Sequence, residues 1–455
     1  MTKTPRCGYR LLAAVLAAST SAPALAGEAG ILQDALGNPE GLTVSASIRG
    51  RVEAIDGQFR PGKNDEDIFV SFRSILAAEY DAGQVRFGGQ LRDARGYAQN
   101  AGTSVGKSDV NALEPLEFYG AIDLENVAAE GDVLSIVGGR TTLNIGSGRI
   151  IGRPGFSNSI NSFTGGQLRW AAPNGDRLIA IYVMPSDRQP SDFESIRDNE
   201  VEFDAVDDDK QLFGAHFTRG DLFAGISGEV YAFGYDEEAA GSDQELLTYG
   251  ARLVRGGAPG LFDIDMEAIH QVGDINYDAA PDIDVDAFFA HAEVGYSFAA
   301  PAKPRLFLFA DYGTGDDADT ADYERFDYLF GKRRGDFGPT GLYGLLSRGN
   351  IASAGLGVTG KPFAGTDVEL TGRGAWLDEA TDSFAKTKVV DPAGESGTYA
   401  GTQIAARVRH WLVPDRYRLE LGGVYFDKGR FLRTAPNAPQ NGDTRYGYVA
   451  LTASF

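Results

Sequence analysis

The sequence has very little cysteine, no long apolar run beyond its first residues, and few basic side chains. Cys7 is the only cysteine among 455 residues, which excludes a disulfide framework and thiolate chemistry. After residue 26 no run of about 18 apolar residues occurs, which excludes a transmembrane helix. The chain carries 42 Lys and Arg against 64 Asp and Glu, so we expect no nucleic-acid partner, because such partners need a basic surface.

Metal and catalytic signatures are also missing. The four histidines are far apart in the sequence, and none has a metal-ligand spacing or a neighbouring serine suited to catalysis. The acidic stretches 274–288 and 315–322 offer oxygen ligands for calcium, but they lack the glycine and terminal glutamate of an EF-hand loop. We therefore expect the acidic stretches to carry exposed charge and no metal. For the protein as a whole we expect no cofactor and no enzyme activity.

The amino terminus has the pattern of a secretory signal peptide. Basic residues precede an apolar stretch at 11–20, and Ala24–Ala26 form a small-residue cleavage site. The sequence thus predicts a signal peptide at 1–26, which carries Cys7 away, followed by an N-terminal periplasmic segment at 27–40.

The rest of the chain shows a repeated period of two. Residues 43–54 alternate strictly between polar and apolar or small side chains, as a strand with one wet face and one apolar face does. About 18 such segments, each long enough to cross a bilayer when tilted, begin near residues 41, 67, 84, 115, 132, 161, 176, 210, 221, 245, 260, 285, 303, 350, 365, 402, 416 and 444. This pattern predicts an all-β fold over residues 41–455, a transmembrane antiparallel β-barrel of about 18 strands.

The connections between these segments alternate in length. Short turns are expected at 82–84, 173–175, 219–221, 259–261 and 414–416, and long polar loops at 99–114, 187–209, 236–244, 274–284, 315–349, 378–400 and 429–443. Short periplasmic turns and long extracellular loops are typical of barrels in the bacterial outer membrane. We therefore expect the lipid of that membrane to be a partner. A soluble β-protein is less consistent with aromatic residues that recur near the strand ends on the apolar face: Tyr80, Tyr296, Phe298, Trp376, Tyr417 and Tyr425.

The last strand continues to the final residue, Phe455. Its alternation predicts that Val449, Leu451, Ala453 and Phe455 face lipid and that Tyr446, Tyr448, Thr452 and Ser454 face the channel. We expect this strand to pair with the segment at 41–54, so that no edge remains open. A free aromatic carboxyl terminus resembles the signal that outer-membrane barrels present to the barrel-assembly machinery. We therefore expect Phe455 to be the assembly signal.

Many arginines fall on the polar face of the predicted strands. Arginine binds carboxylates through a planar fork and stays charged, so a ring of arginines would select anions. The inward-facing candidates are Arg49, Arg51, Arg73, Arg86, Arg92, Arg169, Arg252, Arg373, Arg407, Arg409 and Arg418, and the constriction candidates, near an expected inward-folded loop, are Arg140, Arg149 and Arg153. The alternative is that these arginines form structural ladders with Glu53, Glu79, Glu117, Asp123, Glu369 and Glu420.

Two blocks of sequence, 139–170 and 311–351, resemble the alginate export family of outer-membrane porins. The matching positions in the first block are Gly139, Arg140, Leu143, Gly146, Arg149, Ile150, Ile151, Gly152, Asn158, Ser162, Phe163 and Gly165. Those in the second block are Asp311, Tyr312, Gly315, Asp316, Arg325, Phe326, Asp327, Leu329, Phe330, Gly331 and Asn350. The chain departs from the family pattern at Thr141, Ile145 and Thr164, which bears on the substrate more than on the fold.

The resemblance implies a monomeric 18-stranded barrel whose arginine-rich lumen passively conducts a polyuronate such as alginate. A general diffusion porin for the uptake of small solutes or sugar acids is the alternative, and an adhesin or structural barrel is a third. The direction of transport and the identity of the sugar stay open at this point.

Overall fold

The computed structural model describes residues 30–239, 242–277 and 282–455. The predicted signal peptide at 1–26 lies outside these residues, as do the first three residues of the predicted periplasmic segment. Within them, the strands are β1 (Leu42–Asp56), β2 (Asp67–Asp81), β3 (Val85–Tyr97), β4 (Asn111–Glu125), β5 (Val133–Thr141), β6 (Phe163–Ala171), β7 (Arg177–Asp187), β8 (Ala205–Val206), β9 (Lys210–Phe223), β10 (Ile226–Ala239), β11 (Ser242–Arg255), β12 (Phe262–Tyr277), β13 (Ile283–Ser297), β14 (Arg305–Gly313), β15 (Ile351–Gly360), β16 (Thr366–Trp376), β17 (Tyr399–Val413), β18 (Tyr417–Lys428) and β19 (Thr444–Ser454). The helices are α1 (Ile31–Ala35), α2 (Phe193–Asp198), α3 (Arg334–Phe337) and α4 (Arg430–Thr434), and none of them is long and apolar enough to cross a membrane.

Eighteen of these strands form one closed antiparallel barrel. Each strand pairs with its neighbour in the sequence, β7 pairs with β9 past the two-residue β8, and β19 pairs with β1. The predicted barrel of about 18 strands is therefore confirmed, and every predicted start lies within five residues of an observed one.

The seam between β1 and β19 uses the whole length of the last strand. Its register runs from Ser47 opposite Ser454 to Asp56 opposite Arg445. The Phe455 amide donates to the Ala46 carbonyl at 2.8 Å, and the Ala46 amide donates back to the Phe455 carbonyl at 3.2 Å. The final residue thus belongs to the ladder that closes the barrel.

Helix α1 covers the part of β1 that extends beyond β19. The Gln33 side-chain amide donates to the Leu42 carbonyl at 2.7 Å and accepts from the Val44 amide at 2.8 Å. These two bonds imitate the ladder bonds that a further strand residue would make, so this edge is not left unpaired.

The two faces of the barrel wall differ as the period of two predicts. On β19, Val449 and Leu451 are 49% and 47% exposed on the outer face, whereas Tyr446 and Tyr448 are 4% and 5% exposed inside. Apolar residues are exposed on the outer face around the barrel, including the predicted aromatic side chains Tyr80, Phe298, Trp376, Tyr417 and Tyr425. Such a face is suited to contact with hydrocarbon.

The two ends of the barrel differ in the length of their connections. We call the end that holds Phe455 and the short connections the turn end, and the opposite end the loop end. The predicted turn at 219–221 is wrong, because β9 continues to Phe223 and the connection is formed by Ala224 and Gly225, whose φ angles of 51° and 74° suit a two-residue hairpin turn.

Two of the predicted long loops are also strand. Over the described residues, β10 reaches Ala239 and β11 begins at Ser242, so 236–244 is mostly strand. Likewise, β12 reaches Tyr277 and β13 begins at Ile283, which shortens the loop expected at 274–284. The prediction failed because it treated runs of acidic residues as loop, although charged residues can occupy a strand where it projects into water.

Strands β5 and β6, which flank a loop that turns inward, approach their neighbouring strands closely. Gly139 and Gly165 lie opposite each other, with φ angles of +127° and +155°. A Cβ atom at Gly139 would lie 2.4 Å from the Phe118 carbonyl oxygen, and one at Gly165 would lie 2.3 Å from the Tyr182 carbonyl oxygen. Only glycine fits at either position, and the loop between these strands enters the lumen.

Candidate functional site

Two loops from the loop end fold into the lumen and join there. We call residues 142–162 the short inward loop and residues 314–350 the long inward loop. Ile151 and Phe330 form a parallel bridge, and the Gly152 amide donates to the Phe330 carbonyl at 3.1 Å. The Lys332 amide donates to the Gly148 carbonyl at 2.9 Å. The expectation of an inward-folded loop near Arg140, Arg149 and Arg153 is thus met by two loops, of which the second was not anticipated.

An apolar core inside the barrel supports these loops. The long inward loop contributes side chains that are at most 2% exposed: Phe326, Phe337, Leu342, Tyr343, Leu345 and Leu346. The short inward loop adds Leu143, Ile150 and Ile151 to the same cluster. The lumen is therefore packed with protein around the loops, which restricts the space open to a solute.

Arg149 fastens the two loops to the barrel wall. Its guanidinium donates to Asp336 of the long inward loop at 3.0 and 3.1 Å, and to Glu267 of β12 at 2.6 Å, with Asp265 at 3.3 Å. Burial alone would lower the pKa of Arg149, but Asp336, Glu267 and Asp265 outweigh it and raise the pKa well above its usual value. Arg149, predicted for the constriction, is thus surrounded by carboxylates.

Asp336 is the opposite member of this network. It accepts hydrogen bonds from Arg149 and from Arg348, the latter also at the base of the long inward loop. Burial would raise the pKa of Asp336, but the charges of Arg149 and Arg348 hold it below its ordinary value. This buried network fixes the position of α3 in the lumen.

Four of the predicted lumenal arginines bind the main chain of the short inward loop, at residues 155–160, which we call the central segment. Arg49 donates to the Gly155 carbonyl at 2.8 Å and to the Ser157 carbonyl at 3.3 Å. Arg51, Arg73 and Arg92 donate to the carbonyls of Phe156, Ser157 and Ile160 at 2.5, 2.8 and 2.8 Å respectively. The arginines of β1, β2 and β3 therefore converge on one stretch of neutral carbonyl groups.

Beside the central segment is a cavity of about 210 Å³, which we call the cationic cavity. It is lined by Arg73, Asn144, Arg153, Pro154, Gly155, Ile160 and Lys332, and none of these is an acid. Arg153 donates to Gln90 at 2.6 Å and Lys332 donates to Asn144 at 3.0 Å. Burial lowers the pKa of both Arg153 and Lys332, as expected where solvent is excluded around cations.

A second cavity, of about 220 Å³, lies nearer the turn end between α3 and strands β13 to β19. Its lining mixes both signs of charge, with Arg305, Arg334, Arg373 and Arg407 beside Glu293, Asp336 and Glu369. We call it the mixed-charge cavity. Charged side chains of both signs can hold a polar solute weakly as it passes.

Most of the predicted arginines are also paired with acids, as the ladder alternative expected. Arg407 donates to Glu369 at 2.6 Å and Arg409 to Glu420 at 2.8 Å. Further ion pairs join Arg51 to Glu53, Arg86 to Asp123, Arg140 to Glu114, Arg252 to Asp265 and Arg373 to Asp311. Arg169 donates to Gln167 at 2.9 Å, and Arg418 lies over the Trp411 ring.

Sequence reasoning missed three residues of this site. Lys332 and Arg334 were not predicted, although they stand in a short basic run, 332–334, inside an otherwise acidic stretch. Phe156 was also missed, because nothing in its neighbourhood marks it in the sequence. Its ring lies between two guanidinium groups, those of Arg51 and Arg334, each 4.0 Å from the ring centre.

Among the residues that the structure describes, no group of three or more His, Cys, Asp or Glu is placed to hold a metal ion. Buried His291 instead pairs with Asp311 at 2.7 Å, and His216 lies 3.4 Å from Glu229. The acidic stretch at 274–288 falls partly outside the described residues, at 278–281.

A family model named Alginate export matches residues 41–444, nearly the whole chain. The protein belongs to the alginate export family. The resemblance found in the two sequence blocks is thereby confirmed. The family and the fold described above are those of passive channel porins. A search of curated proteins finds no significant match.

Solved structures similar to this alginate export family member are outer-membrane porins at low sequence identity. Pseudomonas aeruginosa OccK2 (OpdF), solved in complex with glucuronate, is 13% identical with a TM-score of 0.56, covering 90% of this chain and 98% of its own. P. aeruginosa OccD3 (OpdP) is 11% identical with a TM-score of 0.55, covering 91% of both chains. Acinetobacter baumannii OccAB1 is 11% identical with a TM-score of 0.54, covering 91% of this chain and 97% of its own. These likenesses concern the fold.

Proposed function

We propose that the protein is a passive outer-membrane channel for carboxylate-bearing saccharides, with alginate-like polyuronates as the solute class. Uronic acids carry one carboxylate per sugar, and a path for them needs cations that line open space in the lumen. The single observation that carries the proposal is the cationic cavity, where Arg73, Arg153 and Lys332 surround a space without an acid in its lining.

The site residues enter this proposal with different roles. Arg73 and Arg153, both predicted from the sequence, line the cationic cavity, whereas Arg140 and Arg149 form close ion pairs with acids. The ion-paired arginines, including Arg373, Arg407 and Arg409, hold the shape of the lumen. Their acidic partners weaken the binding of any one carboxylate, so that the solute can move on. The cavity cations are then the residues that select for anions.

Uptake of small sugar acids is a second candidate. A porin of the same fold has been solved with glucuronate, and the lumen of this protein is filled by two packed loops. A path of this kind is suited to short solutes as well as to an extended chain. Both candidates place a uronate in the lumen and differ in the length of the solute and the direction of transport.

We further propose that the protein functions as a monomer in the outer membrane, with its turn end in the periplasm. The apolar outer face supports contact with lipid, and the seam at Phe455 supports recognition by the barrel-assembly machinery through the carboxyl terminus. The long connections at the loop end would then face the cell exterior.

Flux from proteoliposomes tests the solute class. Vesicles loaded with a short oligomannuronate or with a neutral oligosaccharide of equal length are compared for release through the purified protein. We expect faster release of the oligomannuronate. Equal release, or faster release of the neutral sugar, would contradict the proposed solute class.

A further inference from the structure

The central segment, residues 155–160, lies where three arginines of the barrel wall converge. Arg49, Arg73 and Arg92 all donate to its carbonyls, at 2.8 Å for the shortest bond of each. None of these three arginines forms an ion pair with another residue of the described ranges 30–239, 242–277 and 282–455. Their hydrogen-bond partners are neutral oxygens, those of the main chain together with the side-chain amides of Asn158 and Asn111.

A carboxylate is a stronger partner for these arginines than a carbonyl. Hydrogen bonds between two charged groups are about twice as strong as those between neutral groups, and the guanidinium fork can hold both carboxylate oxygens at once. A chain with one carboxylate per sugar would therefore compete with the central segment for the same donors.

A single aromatic side chain holds the central segment against the opposite wall. The Phe156 ring is 4.0 Å from both the Arg51 and the Arg334 guanidinium groups, and its centre is 5.0 Å from that of Tyr448 in an edge-to-face contact. Cation–π contacts of this kind attract the ring to both guanidinium groups. The buried Asn158 side chain is a second anchor of the segment, donating to the Asp109 carbonyl at 2.9 Å.

Space for a movement exists on both sides of Phe156. Pro154 and Gly155, which precede it, line the cationic cavity of about 210 Å³. Arg334 and Tyr448, which contact its ring, line the mixed-charge cavity of about 220 Å³. Phe156 and the central segment thus stand between the two cavities.

We propose that the central segment is an internal substitute for the solute, which a carboxylate-bearing chain displaces. Carboxylates replace the carbonyls on Arg49, Arg73 and Arg92, Phe156 leaves its place between Arg51 and Arg334, and the two cavities join into one path. The solute shifts the equilibrium because it binds the arginines only after the segment has moved. This inference rests on the proposed function and adds a solute-dependent opening to it.

A reversible cross-link tests the movement. The Ser157 hydroxyl of the central segment lies 3.3 Å from the Thr340 hydroxyl of the long inward loop. The double variant Ser157→Cys/Thr340→Cys places two thiols within reach of a disulfide after a small adjustment. Cys7 lies in the predicted signal peptide, so no other cysteine competes in the mature chain.

Oligomannuronate release from proteoliposomes is measured for this variant after oxidation and again after reduction. We expect oxidation to slow release by about tenfold or more, as immobilising the segment by more than ~1.4 kcal/mol would do, and reduction to restore it. Chloride conductance should change less, because chloride is much smaller than an oligosaccharide. The single variants Ser157→Cys and Thr340→Cys, treated with the same oxidant, control for effects outside the cross-link.

Equal oligomannuronate release from the oxidised and reduced double variant, with the disulfide confirmed by mass spectrometry, would overturn this inference and leave the proposed function intact. Failure of the wild-type protein to release oligomannuronate would instead overturn the proposed function, and the inference with it.

Discussion

At the scale of single residues, the lumen contains two kinds of cation. Arg149 is held by three carboxylates from two different parts of the chain, whereas the cationic cavity brings Arg73, Arg153 and Lys332 together without an acid in its lining. The first kind stabilises the inward loops. The second kind lines open space in the lumen.

Asp336→Asn tests the stabilising network. The substitution leaves the Arg149 and Arg348 guanidinium groups partly unpaired in a buried place, and we expect the free energy of unfolding to fall by about 3 kcal/mol at neutral pH. Urea denaturation of the purified barrel measures this change. Asp319→Asn, an exposed position in the same loop, is the matched control and should leave the midpoint unchanged.

The same variant predicts a pH dependence. The pKa of Asp336 lies below its ordinary value in the folded protein, so its contribution to stability is complete above about pH 4 and declines as the pH falls further. The difference in stability between wild type and Asp336→Asn should therefore be constant between pH 5 and 8, a range set by the ordinary carboxyl pKa of about 4. A difference that grows on acidification would contradict the assigned ion pairs.

Lys332→Met tests the cationic cavity. Removal of one of its three cations should weaken the block of chloride current by glucuronate about tenfold, equivalent to ~1.4 kcal/mol. Lys361→Met, at the exposed connection between β15 and β16, removes the same charge away from the lumen. If the two variants weaken the block equally, the cavity is not the binding site.

At the scale of single elements, the strand pattern was readable and the inward loops were not. The alternation around Arg49 and Arg51 predicted correctly that these side chains face inward, because the period of two fixes the face of a strand residue. Both also donate to carbonyls of residues 155–160, more than 100 positions away in the sequence, and no local pattern encodes such a contact. For the same reason Phe156 carries no signal of its role.

Phe156→Ala tests the hold on the central segment. Loss of two cation–π contacts, about 1 kcal/mol each, should raise the open probability of the channel without solute, seen as a larger mean conductance in planar bilayers. Phe156→Tyr keeps the aromatic face and should behave as wild type. An unchanged conductance in Phe156→Ala would show that the ring does not restrict the path.

Deletion of Phe455 tests the role of the last strand. Phe455 completes the β1–β19 ladder through two backbone bonds to Ala46, and we expect its deletion to abolish assembly before any effect on selectivity. The amount of folded barrel in outer-membrane fractions, judged by heat-modifiable mobility in gels, measures assembly. Phe455→Tyr retains the backbone bonds and an aromatic terminus, so it should assemble; normal levels of the deletion would refute the assignment.

At the scale of the whole molecule, the sequence predicts the barrel closely because closure, strand length and alternation all follow from the bilayer. It predicts the filling of the lumen poorly, since the long inward loop reads as a polar connection although Phe337, Leu342 and Leu346 are buried inside. The departures from the family pattern at Thr141, Ile145 and Thr164 lie beside or within the short inward loop. The chain is acidic overall, yet it holds a cationic cavity, because none of its acids lies in the lining of that cavity.

The reversal potential of the wild-type protein in a potassium chloride gradient measures whether the lumen selects for anions, as a path for uronates requires. We predict a reversal potential of the sign that marks chloride preference, together with block of the current by polymannuronate and none by a neutral polysaccharide of the same length. A reversal potential of the opposite sign, marking potassium preference, would contradict the account.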